Sequence, residues 1–356
     1  MGIKNLMKVL NDHTPGAIIQ INHNELKNKK IAIDTSIILY QYVSAIRSSG
    51  SDLKDSKGKS TSHILGILVK TLNYLKMDII PVHIFDGKPP ELKIKVLNDR
   101  GKIKKDAIKK LSEIESKLKD LDSDEEDIKE LKEQKIKFLQ QSVSISYNEM
   151  LEACEIANLL GVPTIIAKEE ADTQCAYLSK KGLVDYVATE DMDILTFGAK
   201  SIIKNFSKKE IFKIELDKIL REGNITMDQF IDICILLGCD YTETISGIGI
   251  KKVWNLILKY ESIEELIKNE KKIVENKYKL PDNFRYIEAR EYFMNPIHIE
   301  MTDEDIKLKP PKLNELKMIL IKKYNFMEDN IEKMIGFLRK KYNIYDNYNE
   351  DLFTDS

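Results

Sequence analysis

Tyr186-Val187-Ala188-Thr189-Glu190-Asp191-Met192-Asp193 is a short apolar run that gives way to acids. The pattern occurs twice earlier, in Ile31-Ala32-Ile33-Asp34 and in Val82-His83-Ile84-Phe85-Asp86. Runs of this length, rich in Ile and Val, predict buried strands of a parallel sheet. Ligand sites in open α/β sheets lie just beyond the carboxyl ends of such strands. Three strands ending this way aim Asp34, Asp86, Asp191 and Asp193 at one spot. Carboxylates gathered so closely cannot all stay ionised without a cation. Oxygen-only donors suit Mg²⁺ or Mn²⁺, and two such ions ~4 Å apart are the usual clamp for cutting a phosphodiester.

Working outward, strands are expected at 30–34, 81–85, 163–167 and 184–189, with helices at 35–47, 61–77, 146–160 and 169–181. Ser201–Phe206 and Ile211–Leu216 read as a hairpin. The fold class is therefore α/β, with a mostly parallel central sheet flanked by helices. Between residues 92 and 141 the composition changes: no Pro, a single Gly (Gly101), and charge nearly everywhere. Its first part is basic, its middle acidic at Asp120–Asp127, and Ile103, Ala107, Ile108 and Leu111 are spaced for a helix. So few apolar residues predict an exposed, mobile helical insert. From Thr226 to about residue 268 the chain reads as helical. After Pro281 it reads as irregular, with helices at 312–324 and 328–340. The expected regions are 1–91 and 142–225 for the sheet, 92–141 for the insert, 226–280 for a helical module and 281–356 for the tail.

At 356 residues the chain can bury a large core, and its net charge of −2 conceals strong local segregation. No apolar run reaches bilayer length, so no membrane role is expected. The N-terminus reads as lacking a secretory signal. Cys154, Cys175, Cys234 and Cys239 show no zinc spacing and read as reduced thiols of a reducing compartment.

Three more acids join the first four. Glu170 and Asp172 open the helix after strand 163–167. Side chains two apart do not share a helix face, but in an open first turn both can reach one centre. Asp240 follows the apolar helix 231–238. Each alone is ordinary: a dipole partner, a cap or a turn residue. Together the seven are what a metal site needs and a core avoids. Gly247-Ile248-Gly249 followed by Lys251 and Lys252 then opens a helix at 252–259. Such a turn exposes backbone N–H groups to phosphate, in a helix–hairpin–helix that grips a duplex without reading its bases. Lys93 and Arg100 begin the basic helix close to Asp86 and are placed to hold a phosphate. Tyr40 is either a base-stacking ring or a half-buried aromatic.

Met1-Gly2-Ile3-Lys4-Asn5-Leu6, Ala32–Ser36, Phe85-Asp86-Gly87-Lys88-Pro89-Pro90-Glu91-Leu92-Lys93, Ala188–Gly198 and Cys234–Tyr241 leading to Gly247–Gly249 occur in one order. In that order they closely resemble the flap endonuclease family of structure-specific 5′ nucleases, from Met1 to about Ser262 and more weakly to about 340. The resemblance implies two Mg²⁺ ions, for which Mn²⁺ can substitute. Asp34, Asp86, Glu170 and Asp172 would serve one, and Asp191, Asp193 and Asp240 the other. It implies catalytic roles for Lys93, Arg100 and Tyr40, an arch formed by the insert, and DNA contacts by Gly2, Arg47, Gly247, Gly249, Lys251 and Lys252, with K⁺ at the glycine turn. The expected partner is branched or flapped DNA, the expected state a monomer. The expected place is the nucleus, or the cytoplasm for an archaeal or viral source. Sliding-clamp binding is left open by the sequence, because Lys341–Tyr348 lacks the Gln and the first aromatic of a Gln-x-x-Leu-x-x-Phe-Phe peptide. The chain also departs from the family at Asp172, where Glu is more usual.

The function expected is cutting of 5′ flaps at single-strand/double-strand junctions in replication and repair, with 5′→3′ exonuclease activity. A related exonuclease or bubble-cutting nuclease, an inactive DNA-binding scaffold and a two-metal phosphatase stand as alternatives.

Overall fold

The computed structural model describes residues 2–48, 54–55, 57–120, 125–206, 208–275 and 277–344. Seven strands form one sheet: β1 (Ile18–Ile21), β2 (Lys30–Asp34), β3 (Ile80–Phe85), β4 (Thr164–Ile166), β5 (Tyr186–Ala188), β6 (Ser201–Lys204) and β7 (Ile211–Glu215). Their order is β1-β7-β6-β5-β2-β3-β4. β2 through β6 pair in parallel. β6 and β7 form the expected antiparallel hairpin, and β1 adds antiparallel at the edge.

Both faces of the sheet are covered, which is why its central strands are almost wholly apolar. Successive side chains of β2 point to opposite faces. Ala32 joins Val82, Ile84 and Val187 in one core with the helices Ala171–Lys181 and Met227–Leu237. Ile31 and Ile33 join Ala188 and Ile203 in another. A third core places Phe85 with the helices Ser62–Lys76 and Tyr147–Leu159, and with Leu316, Ile335 and Leu338 of the C-terminal helices. From β2 the chain runs outward to β3 and β4, then returns to lay β5 on the other side of β2. In open α/β sheets ligands bind at the carboxyl ends of the strands beside such a reversal, here β2 and β5 with β3 alongside.

The insert is two long helices, Ile94–Asp120 and Glu125–Ser142, packed on each other. Not all of the apolar residues spaced for a helix lie in its seam. Ala107 and Ile114 are buried, whereas Ile103 and Ile108 face solvent. The acidic side chains at 120–127 lie outside the described ones. The tail also differs from the irregular reading, for Tyr286–Met294 is a helix that buries Ala289 and Phe293. Residues 345–348 of the clamp-peptide candidate lie outside the described residues.

Candidate active site

Asp34 is the last residue of β2 and is buried. Asp86 follows β3. Its Oδ1 accepts the Ala171 N–H at 2.9 Å, joining the end of β3 to the start of the next helix. Asp191 follows β5, and its Oδ1 accepts the Asp193 N–H at 3.2 Å. Asp193 opens the short helix Asp193–Thr196, where its own Oδ1 accepts the Ile3 N–H at 2.5 Å. Glu170 occupies the position just before the helix Ala171–Lys181, and Asp172 sits in its first turn. Asp240 lies beyond the Gly238 turn that ends the helix Met227–Leu237.

These carboxyls feel one another. Burial, then the charge of Asp86, pushes Asp34 well above the usual carboxylate range. Burial, then Asp34 and Asp191, does the same to Asp172. Burial, then Asp191, does so to Asp193. Two cations come in from the insert. Lys93 pairs with Glu170, and with Asp240 at 3.4 Å. Burial would lower the Lys93 pKa, but Glu170 and Asp240 hold it above its ordinary value. Arg100 Nη2 donates to Asp240 Oδ2 at 2.6 Å.

Two residues that sequence reasoning missed hold Glu170 in place. Tyr241 donates to Glu170 Oε2 at 2.6 Å and Tyr292 donates to the same oxygen at 3.3 Å. Burial, then the Glu170 carboxylate, raises both phenols. Tyr241 stood inside a quoted stretch, so its position was a signal. Tyr292, on the unforeseen helix Tyr286–Met294, gave none.

The residues fit a hard divalent cation on two grounds. Every donor is a carboxylate oxygen, and Asp172 Oδ1 is buried with no hydrogen-bond partner. Among the described residues, no three His, Cys, Asp or Glu side chains form a ready-made cage.

Gly2 reaches the acids as well: its φ is +85°, and a Cβ built there would run into the Asp191 and Asp193 carboxylates. Tyr40 donates its hydroxyl to the Gln140 carbonyl at 3.2 Å, so it touches the end of the insert. The Arg47 side chain is not among the described ones. In the glycine turn, Gly247 has φ +98° and lies against Tyr278, where a Cβ would come within 2.4 Å of the ring. A Cβ on Gly249 would meet nothing within 4 Å. Lys252 donates to the Gly247 carbonyl at 3.1 Å and lies 4.9 Å from the Tyr278 ring centre. Lys251 is exposed. The helix Val253–Tyr260 follows.

Residues 1–107 match the XPG N-terminal domain and residues 161–240 the XPG I-region. Flap endonuclease 1 of Plasmodium chabaudi chabaudi is 39% identical over 96% of this chain and 72% of its own length. The chain belongs to the flap endonuclease family. Flap endonuclease 1 of Entamoeba dispar is 37% identical over 95% of this chain and 88% of its own length. The solved flap endonuclease-1 from Methanococcus jannaschii superposes with a TM-score of 0.66 at 28% identity, over 93% of this chain and 98% of that one. Several other Plasmodium relatives are longer, and the chain spans 51–58% of their length. Members of the family are metal-dependent nucleases.

Proposed function

We propose that the chain is a structure-specific 5′ flap endonuclease with 5′→3′ exonuclease activity, working at single-strand/double-strand junctions in DNA replication and repair. One observation carries this reading. Acids from the ends of β2, β3 and β5 form a mutually repelling cluster, and Lys93 and Arg100 of the insert enter it from one side.

Asp34, Asp86, Glu170 and Asp172 would hold one Mg²⁺, and Asp191, Asp193 and Asp240 the second, with Mn²⁺ able to substitute. When bound, the two ions supply Lewis-acid stabilisation of the charge that builds on the phosphodiester during in-line hydrolysis. The chain's own groups do the rest. Lys93 and Arg100 bring positive charge to the place where the scissile phosphate enters. Tyr241 and Tyr292 keep Glu170 in a single orientation. The Tyr40 ring stacks on the nucleotide at the cut, and the insert forms an arch for the single-stranded 5′ end. Gly247, Gly249, Lys251 and Lys252 grip the uncut duplex backbone, with K⁺ at the turn, and Arg47 adds a further phosphate contact. Specificity then comes from the shape and bending of the junction, with no base readout.

The protein works as a monomer on branched DNA, in the nucleus, or in the cytoplasm if its source is archaeal or a cytoplasmic DNA virus. Substituting Asp86→Ala and Asp191→Ala separately tests the reading. Each protein should bind flap DNA and lose Mg²⁺-dependent cutting. Full cutting by both would end the two-metal account.

A further inference from the structure

His83 is a buried histidine inside β3, three residues before Asp86, and the cleavage chemistry above does not use it. Both its ring nitrogens are engaged. Nδ1 lies 2.8 Å from Thr35 Oγ1, and Nε2 lies 2.9 Å from Thr71 Oγ1. The Thr35 hydroxyl already donates its one proton to the Ile33 carbonyl at 3.1 Å. Towards His83 it can only accept, which places the ring proton on Nδ1. Nε2 then accepts from Thr71. Burial lowers the imidazole pKa to about 3, so the ring is neutral and keeps this one tautomer.

The arrangement matters because of where Thr35 stands. The β2–β3 pairing sets Ile33 opposite His83 and ends with Asp34 opposite Ile84. Beyond that point two side-chain bonds continue it. Thr35 is bound to His83, and Ser36 Oγ accepts the Asp86 N–H at 3.0 Å. The residues just after Asp34 are thus tied to β3 on one side and to the backbone of Asp86 itself on the other.

We propose that His83 and Thr35 are positioning residues which, together with Ser36, fix the separation of Asp34 and Asp86. They thereby set the affinity of that pair for a divalent cation. This rests on the two-cation reading above. It goes beyond it by assigning metal affinity to a histidine that touches neither metal nor DNA, through the threonine next to a ligand.

Thr71 supplies the control. It bonds the far side of the same ring, from the helix Ser62–Lys76, so a histidine that merely filled the core would make Thr35 and Thr71 equivalent. The experiment measures Mn²⁺ binding to the full chain without DNA, by electron paramagnetic resonance, and follows unfolding in parallel. Thr35→Val should weaken Mn²⁺ binding by about tenfold or more, as loss of a group orienting a metal ligand does, while Thr71→Val stays within about twofold of the unchanged protein. A second pair guards against misfolding. His83→Asn, whose amide nitrogen can take the place of Nδ1, should retain the affinity. His83→Gln, whose amide can replace only Nε2, should lose it. Equal effects of Thr35→Val and Thr71→Val, or of Asn and Gln at 83, would overturn the proposal. If the unchanged protein binds no Mn²⁺, the two-cation reading itself falls. If it binds Mn²⁺ and Thr35→Val binds equally well, only the positioning role falls.

Discussion

A Cβ built on Gly2 would stand 1.7 Å from Asp191 Oδ1 and 2.7 Å from Asp193 Oδ1. No rotamer change on Gly2 can relieve this, because the clash begins at the first side-chain atom. Its φ of +85° adds a conformation that L side chains rarely adopt. Gly2→Ala must therefore displace either the N-terminal segment or the two carboxylates. The expected result is a single-turnover cleavage rate lower by on the order of a hundredfold, as small misplacements in an active site produce. An unchanged rate would mean that the N-terminal segment moves aside freely.

Tyr241 and Tyr292 share one oxygen of Glu170, the first at 2.6 Å and the second at 3.3 Å. A hydrogen bond to a charged group contributes about 1.5–3 kcal/mol. Tyr241→Phe should therefore lower unfolding free energy in urea by that order in Mg²⁺, and Tyr292→Phe by less. Cleavage should fall in the same order. A larger loss from Tyr292→Phe would mean that the two phenols divide the work differently.

Most of the sheet was legible because each central strand is a short apolar run buried on both faces. The acids were legible because they end those runs. What escaped notice depends on distant partners. β1 is four residues at the sheet edge and gains its pairing from β7, some two hundred residues later. The helix Tyr286–Met294 buries only Ala289 and Phe293. It is anchored by Arg290, whose guanidinium binds Asp232 at 2.8 Å and Glu264 at 2.7 Å. No local periodicity reports such long-range pairs, so Tyr292 could not be seen in the sequence. In the insert, local spacing gave the helix but not its seam, since only the partner helix decides that Ile114 is covered and Ile103 is not.

His83 should also leave a mark on pH stability. Its pKa falls from about 6.5 to about 3 on folding, because burial penalises the charged ring. Below pH 6.5 the unfolded chain binds a proton that the folded chain refuses. The stabilisation is thus complete above pH 6.5 and is lost as pH falls towards 3, by about 1.4 kcal/mol per pH unit. His63, also lowered by burial, acts in the same direction. Comparing His83→Gln with the unchanged protein isolates the His83 share. The free-energy difference between them should shrink as the pH drops from 6.5 to 5. A constant difference would show that His83 is solvated or charged in the fold.

The two lysines after the glycine turn should behave differently. Both are exposed, but Lys252 is also held by the Gly247 carbonyl and the Tyr278 ring. Lys251→Ala should reduce the salt dependence of duplex binding by about 0.9 in the slope of log K against log salt. Lys252→Ala should also lower thermal stability, since it removes contacts within the protein. Equal stability of the two variants would contradict this assignment.

Cleavage of a labelled double-flap DNA by untagged protein, with nicked DNA alongside, in Mg²⁺ and in EDTA and with the flap's 5′ end free or blocked by a bulky group, tests the proposed nuclease most directly. The expected result is a single Mg²⁺-dependent cut near the flap base that is lost when the end is blocked. A ladder from the 5′ end of nicked DNA with the flap ignored, or tight flap binding with no cutting in Mg²⁺ or Mn²⁺, would contradict it.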